Sequence, residues 1–100
     1  MSGEKTVSRV GGMLVNGVRL TWPLAALTAT ADAVVLETAF GRRYVIPRAE
    51  MKRFRRRWGI FWPNLEIQHR SAAVPEKLCF IPWSRRRLVR ELIDLGYKVK

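Results

Sequence analysis

Arg53, Arg55, Arg56 and Arg57 run directly into Trp58, Gly59, Ile60, Phe61 and Trp62, setting four guanidinium groups beside four large apolar side chains. The planar guanidinium fork matches phosphate and carboxylate oxygens, and a lysine ammonium would serve mere solubility as well. In the plainest account the arginines line a solvated strand edge, where charge discourages edge-to-edge pairing, and the rings join the core. That account suffices for Trp58. It is weaker for residues 60–62, because a turn bounded by Gly59 and Pro63 rarely buries three large side chains together. Exposed there, Phe61 and Trp62 would suit an anionic lipid surface, with rings at the interface and cations on headgroups. They would equally suit single-stranded nucleic acid, or a protein with an acidic rim around an apolar pocket.

A second basic cluster, Arg85, Arg86 and Arg87, follows Ser84 at the start of a predicted helix. The helix macrodipole favours anions there, so each cation costs a few tenths of a kcal/mol when exposed. Two accounts stand side by side. Arginine is a good helix former and the cost is tolerable, or three arginines beside free backbone N–H groups form an anion site.

Catalytic and metal chemistry find no comparable footing. His69 is the only histidine and Cys79 the only cysteine, and none of the eight carboxylates stands at general-base or metal-ligand spacing from either. His69 continues the inward face set by Leu65 and Ile67, as a structural imidazole would. Cys79 lies in the apolar run 78–81, the setting of a buried, inert thiol. No disulfide is possible within the chain, which fits a reducing cytoplasm. The expectation is a binding module rather than an enzyme, without metal or cofactor.

The net charge is +11, and of the nineteen cations fourteen are arginine. Residues 42–57 hold eight of them against the single acid Glu50, seven of the eleven net charges. Clustering of this kind marks a patch rather than general solubility. With 48% hydrophobic residues over 100 positions, the composition is that of one globular domain.

The elements that must position these groups are mostly strands. Residues 1–12 are expected to be a flexible arm that ends at Gly11 and Gly12, with the domain occupying 13–100. Val18, Leu20 and Trp22 alternate with Arg19 and Thr21, the period of a half-buried strand. Pro23 is expected to break it, with a second short strand running to Thr30. Val34, Leu36 and Phe40 mark one face of the next, and Arg43 to Ile46 form another that ends at Pro47. A strand is expected over 51–58 with Met51 and Phe54 as anchors, then a cleanly alternating one over 65–69 and a last one over 78–81. The run 20–36 is too interrupted by Pro23, Asp32 and threonines to span a membrane. Asn16 and Arg19 spoil the apolar core that a signal peptide would need. Ser84 as N-cap, Trp83 and Leu88 as a hydrophobic staple, and Leu88, Leu92 and Leu95 at helical spacing predict a helix from about Arg85 to Leu95, stopped by Gly96.

Seven short strands closed by one amphipathic helix resemble the pleckstrin-homology-like superfamily in its compact bacterial, GRAM-like form. The likeness spans residues 13–97. Its local echoes are Leu27-Thr28-Ala29-Thr30 leading to Asp32-Ala33-Val34-Val35-Leu36, then Tyr44-Val45-Ile46-Pro47 leading to Glu50-Met51. A third is Cys79-Phe80-Ile81-Pro82 entering the helix that ends Leu95-Gly96-Tyr97. The resemblance implies a bent seven-stranded antiparallel barrel plugged by the helix, and a role as an adaptor for lipid headgroups, peptides or other domains. One departure matters: the basic signature that phosphoinositide-binding members carry across their first two strands is here reduced to Arg19, so their lipid site does not carry over. The expectation is a cytoplasmic protein, peripheral at the inner face of the membrane. It would bind an acidic protein or anionic lipid through Arg53, Arg55, Arg56, Arg57, Trp58, Phe61, Trp62, Arg85, Arg86 and Arg87, with nucleic acid as the alternative partner.

Overall fold

A computed structural model describes residues 5–58 and 63–100. Among these, seven antiparallel strands form one sheet: β1 (Val7–Val15), β2 (Val18–Ala29), β3 (Ala33–Thr38), β4 (Arg43–Pro47), β5 (Met51–Trp58), β6 (Pro63–His69) and β7 (Leu78–Pro82). Their order across the sheet is β4-β3-β2-β1-β7-β6-β5, and the sheet curls into a half-barrel. One 3-10 turn (Arg48–Glu50) joins β4 to β5, and α1 (Arg85–Asp94) follows β7. The mostly-β plan with one C-terminal helix is the one that the alternation predicts.

Period-two patterning fills the concave face. Met13, Phe80 and Leu65 stand in register across β1, β7 and β6, as do Leu27 and Leu36 across β2 and β3. All are fully buried. α1 lays Leu88, Val89 and Leu92 onto this face, against β1, β6 and β7. Leu88 and Leu92 lie four residues apart, one above the other on the same side of the helix. Leu95 and Tyr97 extend the seam, Tyr97 meeting Phe54 edge-on at 5.7 Å between ring centroids. Gly96, at φ +95°, ends the helix in the left-handed conformation that glycine adopts without strain.

Four expectations about the strands need correction. Residues 7–12 are not an arm but most of β1, with Val7 and Met13 in the core. Gly11 and Gly12 are packing glycines within β1 rather than the end of an arm: a Cβ on Gly11 would lie 2.3 Å from the Ile81 carbonyl oxygen. Pro23 does not divide two strands, because β2 continues through it. Val18 and Trp22 do not face the core, and of that trio only Leu20 packs against it. Finally, β3 ends at Thr38, so Phe40 leaves the strand face and is 72% exposed.

The outer edge of β5 is also occupied. Phe54 and Arg56 donate N–H bonds to the carbonyls of Lys98 and Lys100 (both 2.8 Å), and Lys100 donates to Phe54 (2.9 Å). Residues 98–100 thus run parallel to β5, with Val99 turned inward against the core. The β5 arginines therefore do not guard an open edge. Among the described residues no helix is long and apolar enough to cross a membrane.

Candidate functional site

The end of the half-barrel where α1 begins gathers exposed aromatic rings, and the local sequence explains why. Between the pairs Gly11–Ala25 and Met13–Leu20, β1 supplies one residue, Gly12, while β2 supplies four, residues 21–24. The surplus must loop outward. Gly12 permits the close approach, since a Cβ there would sit 2.5 Å from the Leu20 carbonyl oxygen. Pro23, joined to Trp22 by a cis peptide bond, has no N–H to leave unpaired in this irregular stretch. Trp22 is therefore held outward, 57% exposed.

Trp83 meets it. The residue lies between Pro82, which ends β7, and the first turn of α1. It is 85% exposed, and its ring centroid is 6.1 Å from that of Trp22 at 50° between planes. The expected staple between Trp83 and Leu88 does not form, because Leu88 points into the core and Trp83 away from it. The two tryptophans flank a groove of about 370 Å³ floored by Gly12, Leu20, Ile81 and Pro82, with Arg19 on its wall. A third ring is set nearby. Ala39 donates to the carbonyl of Leu24 in the bulge (2.9 Å), tying the β3–β4 turn to it. The Thr38 hydroxyl accepts from the N–H groups of Phe40 (3.3 Å) and Arg42 (3.1 Å), fixing that turn with Phe40 outward.

The arginines sort differently from their sequence order. In β5, Arg55 and Arg57 lie opposite Glu66 and Asn64, whereas Arg56 lies opposite Leu65 and shares its face. The run is thus split between two faces and is not one patch. Arg55, Arg56 and Arg57 are exposed, with Arg57 paired to Glu66 at 3.2 Å, and Arg53 is half-buried. Arg85 is a structural clasp: its Nη1 donates to the carbonyls of Arg57 (2.9 Å) and Asn64 (3.4 Å), joining the helix start to the end of β5. Burial, and then the neighbouring Arg56, lower its pKa from the usual guanidinium value. Arg86 and Arg87 are exposed in a first turn that holds no acid, and the Ser84 side chain makes no capping bond there. Arg85 therefore ties the helix start, two residues after Trp83, to the end of β5. Gly59, Ile60, Phe61 and Trp62, with the side chain of Trp58, lie outside the described residues. The expected aromatic tip lies among them, and the rings at this end that the structure describes are Trp22, Phe40 and Trp83.

Of the two groups best suited to nucleophilic or acid–base work, His69 is held by the backbone and Cys79 is desolvated. Ser71 N–H donates to His69 Nδ1 (3.0 Å), so Nε2 carries the hydrogen that meets the Pro75 carbonyl at 2.8 Å. Cys79 is half-buried rather than fully buried, and desolvation, followed by Glu66, pushes its thiol pKa up from the usual value. Such a thiol is a poor nucleophile.

Trp22 and Trp83 were poorly visible in the sequence for physical reasons. Trp22 continues a true period-two pattern that the bulge then interrupts, and Trp83 sits where a staple residue belongs. The available signal was a tryptophan beside each of two prolines, Pro23 and Pro82, where regular pairing must stop. Comparison of the chain with family models, with curated proteins and with solved structures yields no match.

Proposed function

We propose that this chain is a non-catalytic binding module of pleckstrin-homology-like plan that docks its aromatic end onto an anionic lipid surface. The observation that carries the reading is the exposed Trp22–Trp83 pair, with Phe40 on the turn tied to the Trp22 bulge and Arg86 and Arg87 in the helical turn that follows Trp83. Folded domains seldom leave three large rings in water at one end without use. Rings of this kind favour the headgroup level of a bilayer, with cations around them on lipid phosphates. Removing ~100 Å² of each ring from water contributes at most about 2–3 kcal/mol per ring. Each exposed arginine near an anionic leaflet adds about 1 kcal/mol. Lipid is favoured over a nucleic acid because Trp22 and Trp83 are turned toward each other, 6.1 Å apart at 50°, rather than set out as successive parallel platforms for stacked bases.

The test is sedimentation with phosphatidylcholine vesicles that contain or lack phosphatidylserine, beside a gel shift with a single-stranded oligonucleotide. The expected result is binding to the anionic vesicles alone. Trp22→Ala with Trp83→Ala should abolish it at unchanged melting temperature. Arg86→Ala with Arg87→Ala should weaken it roughly 30-fold, the equivalent of about 2 kcal/mol. A protein that ignores anionic vesicles but shifts the oligonucleotide would overturn the lipid reading in favour of nucleic acid.

A further inference from the structure

The opposite end of the half-barrel carries a second, differently built feature. A cleft of about 600 Å³ opens there between the 3-10 turn, the start of β5 and the C-terminal residues. Six cations line it, Arg48, Lys52, Arg53, Arg70, Lys98 and Lys100, and among the described residues no aspartate or glutamate does. Its volume is that of a small-molecule site.

Three separate devices bring these residues to one cleft. In a regular strand Lys52 and Arg53 would point to opposite faces. The β5–β6 register slips between Met51 and Arg53, leaving Lys52 as the extra residue of a bulge, and both residues line the cleft. On the C-terminal segment Val99 packs inward, which turns Lys98 and Lys100, two residues apart, to the same outward side. Arg70 follows β6, its N–H held by the Glu50 carbonyl at 2.9 Å. The wall itself is rigid. Arg48 donates to the carbonyls of Ala31 (2.9 Å), Leu95 (3.1 Å) and Gly96 (2.9 Å), and its guanidinium lies over the Tyr97 ring at 4.8 Å.

Two arginines outside the cleft are paired with acids, Arg9 with Glu91 and Arg57 with Glu66. None of these four residues lines the cleft, whose lining carries an excess of positive charge. A protein that wanted only solubility would not converge the cleft cations through a bulge and a docked chain end. We propose that this cleft is a binding site for a compact ligand carrying several closely spaced phosphate groups, either a soluble molecule or a polyphosphorylated lipid headgroup. Charge density is the argument: six cations in so small a space exceed what one carboxylate or one phosphate would neutralise. The site is separate from the aromatic end and does not depend on the lipid reading given to it.

Calorimetric titration of the full chain with sodium tripolyphosphate, orthophosphate and citrate tests the proposal. Tripolyphosphate should bind one-to-one, at least tenfold more tightly than the other two, and should raise the melting temperature. Lys52→Ala with Arg70→Ala should weaken it at least tenfold, whereas Arg86→Ala with Arg87→Ala should leave it unchanged. Thermal melts of each variant without ligand separate lost binding from lost folding. Should the Lys52/Arg70 pair fail to fold, Lys98→Ala with Lys100→Ala takes its place. Phosphatidylcholine vesicles doped with a polyphosphorylated lipid divide the sources. Recruitment that the cleft variant abolishes assigns the phosphates to a headgroup, and tripolyphosphate binding without recruitment assigns them to a soluble ligand. Equal losses from the cleft and the Arg86/Arg87 variants, several ligands per chain, or no binding at all would overturn the site.

Discussion

The two ends of α1 treat arginine in opposite ways. At the C-terminal end one arginine from a distant turn, Arg48, complements the macrodipole. It donates to the carbonyls of Leu95 and Gly96 and stacks on Tyr97, whose own hydroxyl donates to the Thr30 carbonyl at 2.6 Å. Burial above all holds the Tyr97 phenol above its ordinary pKa, so it remains a neutral donor through the physiological range. At the N-terminal end three consecutive arginines oppose the dipole, and only Arg85 makes structural contacts of the kind that Arg48 makes. One end is arranged for stability. The other accepts a local cost and presents Arg86 and Arg87 to solvent beside Trp83, which is the pattern expected of a surface kept for a partner.

The largest effect that bears on this comparison lies between the two ends. Leu92 is 0% exposed on the buried face of α1, so Leu92→Ala should cost about 2–5 kcal/mol, much of a small domain's stability. Chemical denaturation should show a lower midpoint at a similar slope. A wild-type midpoint would mean that α1 does not hold the half-barrel together, and neither end would then have the meaning given to it.

Arg48→Ala comes next. It removes hydrogen bonds to three carbonyls, a charge placed well for the dipole and a ring contact, so it should cost about 2 kcal/mol. For a domain of this size that is a fall of roughly 8–16 °C in melting temperature. Arg48→Lys should recover less than half of the loss, because an ammonium neither forks between carbonyls nor stacks. Binding to anionic vesicles should survive in both. Loss of vesicle binding at unchanged stability would reverse the roles assigned to the two ends.

How much of this was legible in the sequence follows the range of the interactions. The helix face, the left-handed stop at Gly96 and the alternating strands β6 and β7 depend on local spacing, and they appear where the pattern put them. β1 was missed because its two glycines look like the end of an arm in sequence, while in space they are points of close backbone approach. The bulge in β2 depends on a count of residues in two paired strands, which neither strand shows alone. The β5 arginines were visible as charge but not as a split between two faces. The basic cleft was invisible for a related reason: its six cations come from four places in the chain, and a bulge and a docked C-terminal segment bring them together.

The smallest effect sharpens the comparison most. Arg87 occupies the third position of α1, and Ser84 stands at the N-cap with extended backbone angles but no side-chain bond. Arg87→Glu would complete a Ser-x-x-Glu capping box and replace an unfavourable charge with a favourable one. If the N-terminal end were arranged only for stability, this change would already have been available to it. The expectation is a gain of about 0.5–1 kcal/mol, seen as a rise of a few degrees in melting temperature. The same variant should bind phosphatidylserine vesicles more weakly than Arg87→Ala does, because it adds repulsion where alanine only removes attraction. Stability and binding would then move in opposite directions through one residue, as a site maintained against the helix's own preference requires. A variant that melts lower, or that binds anionic vesicles as well as the wild type, would show that Arg87 serves the fold and would leave the arginines at this end without a function in docking.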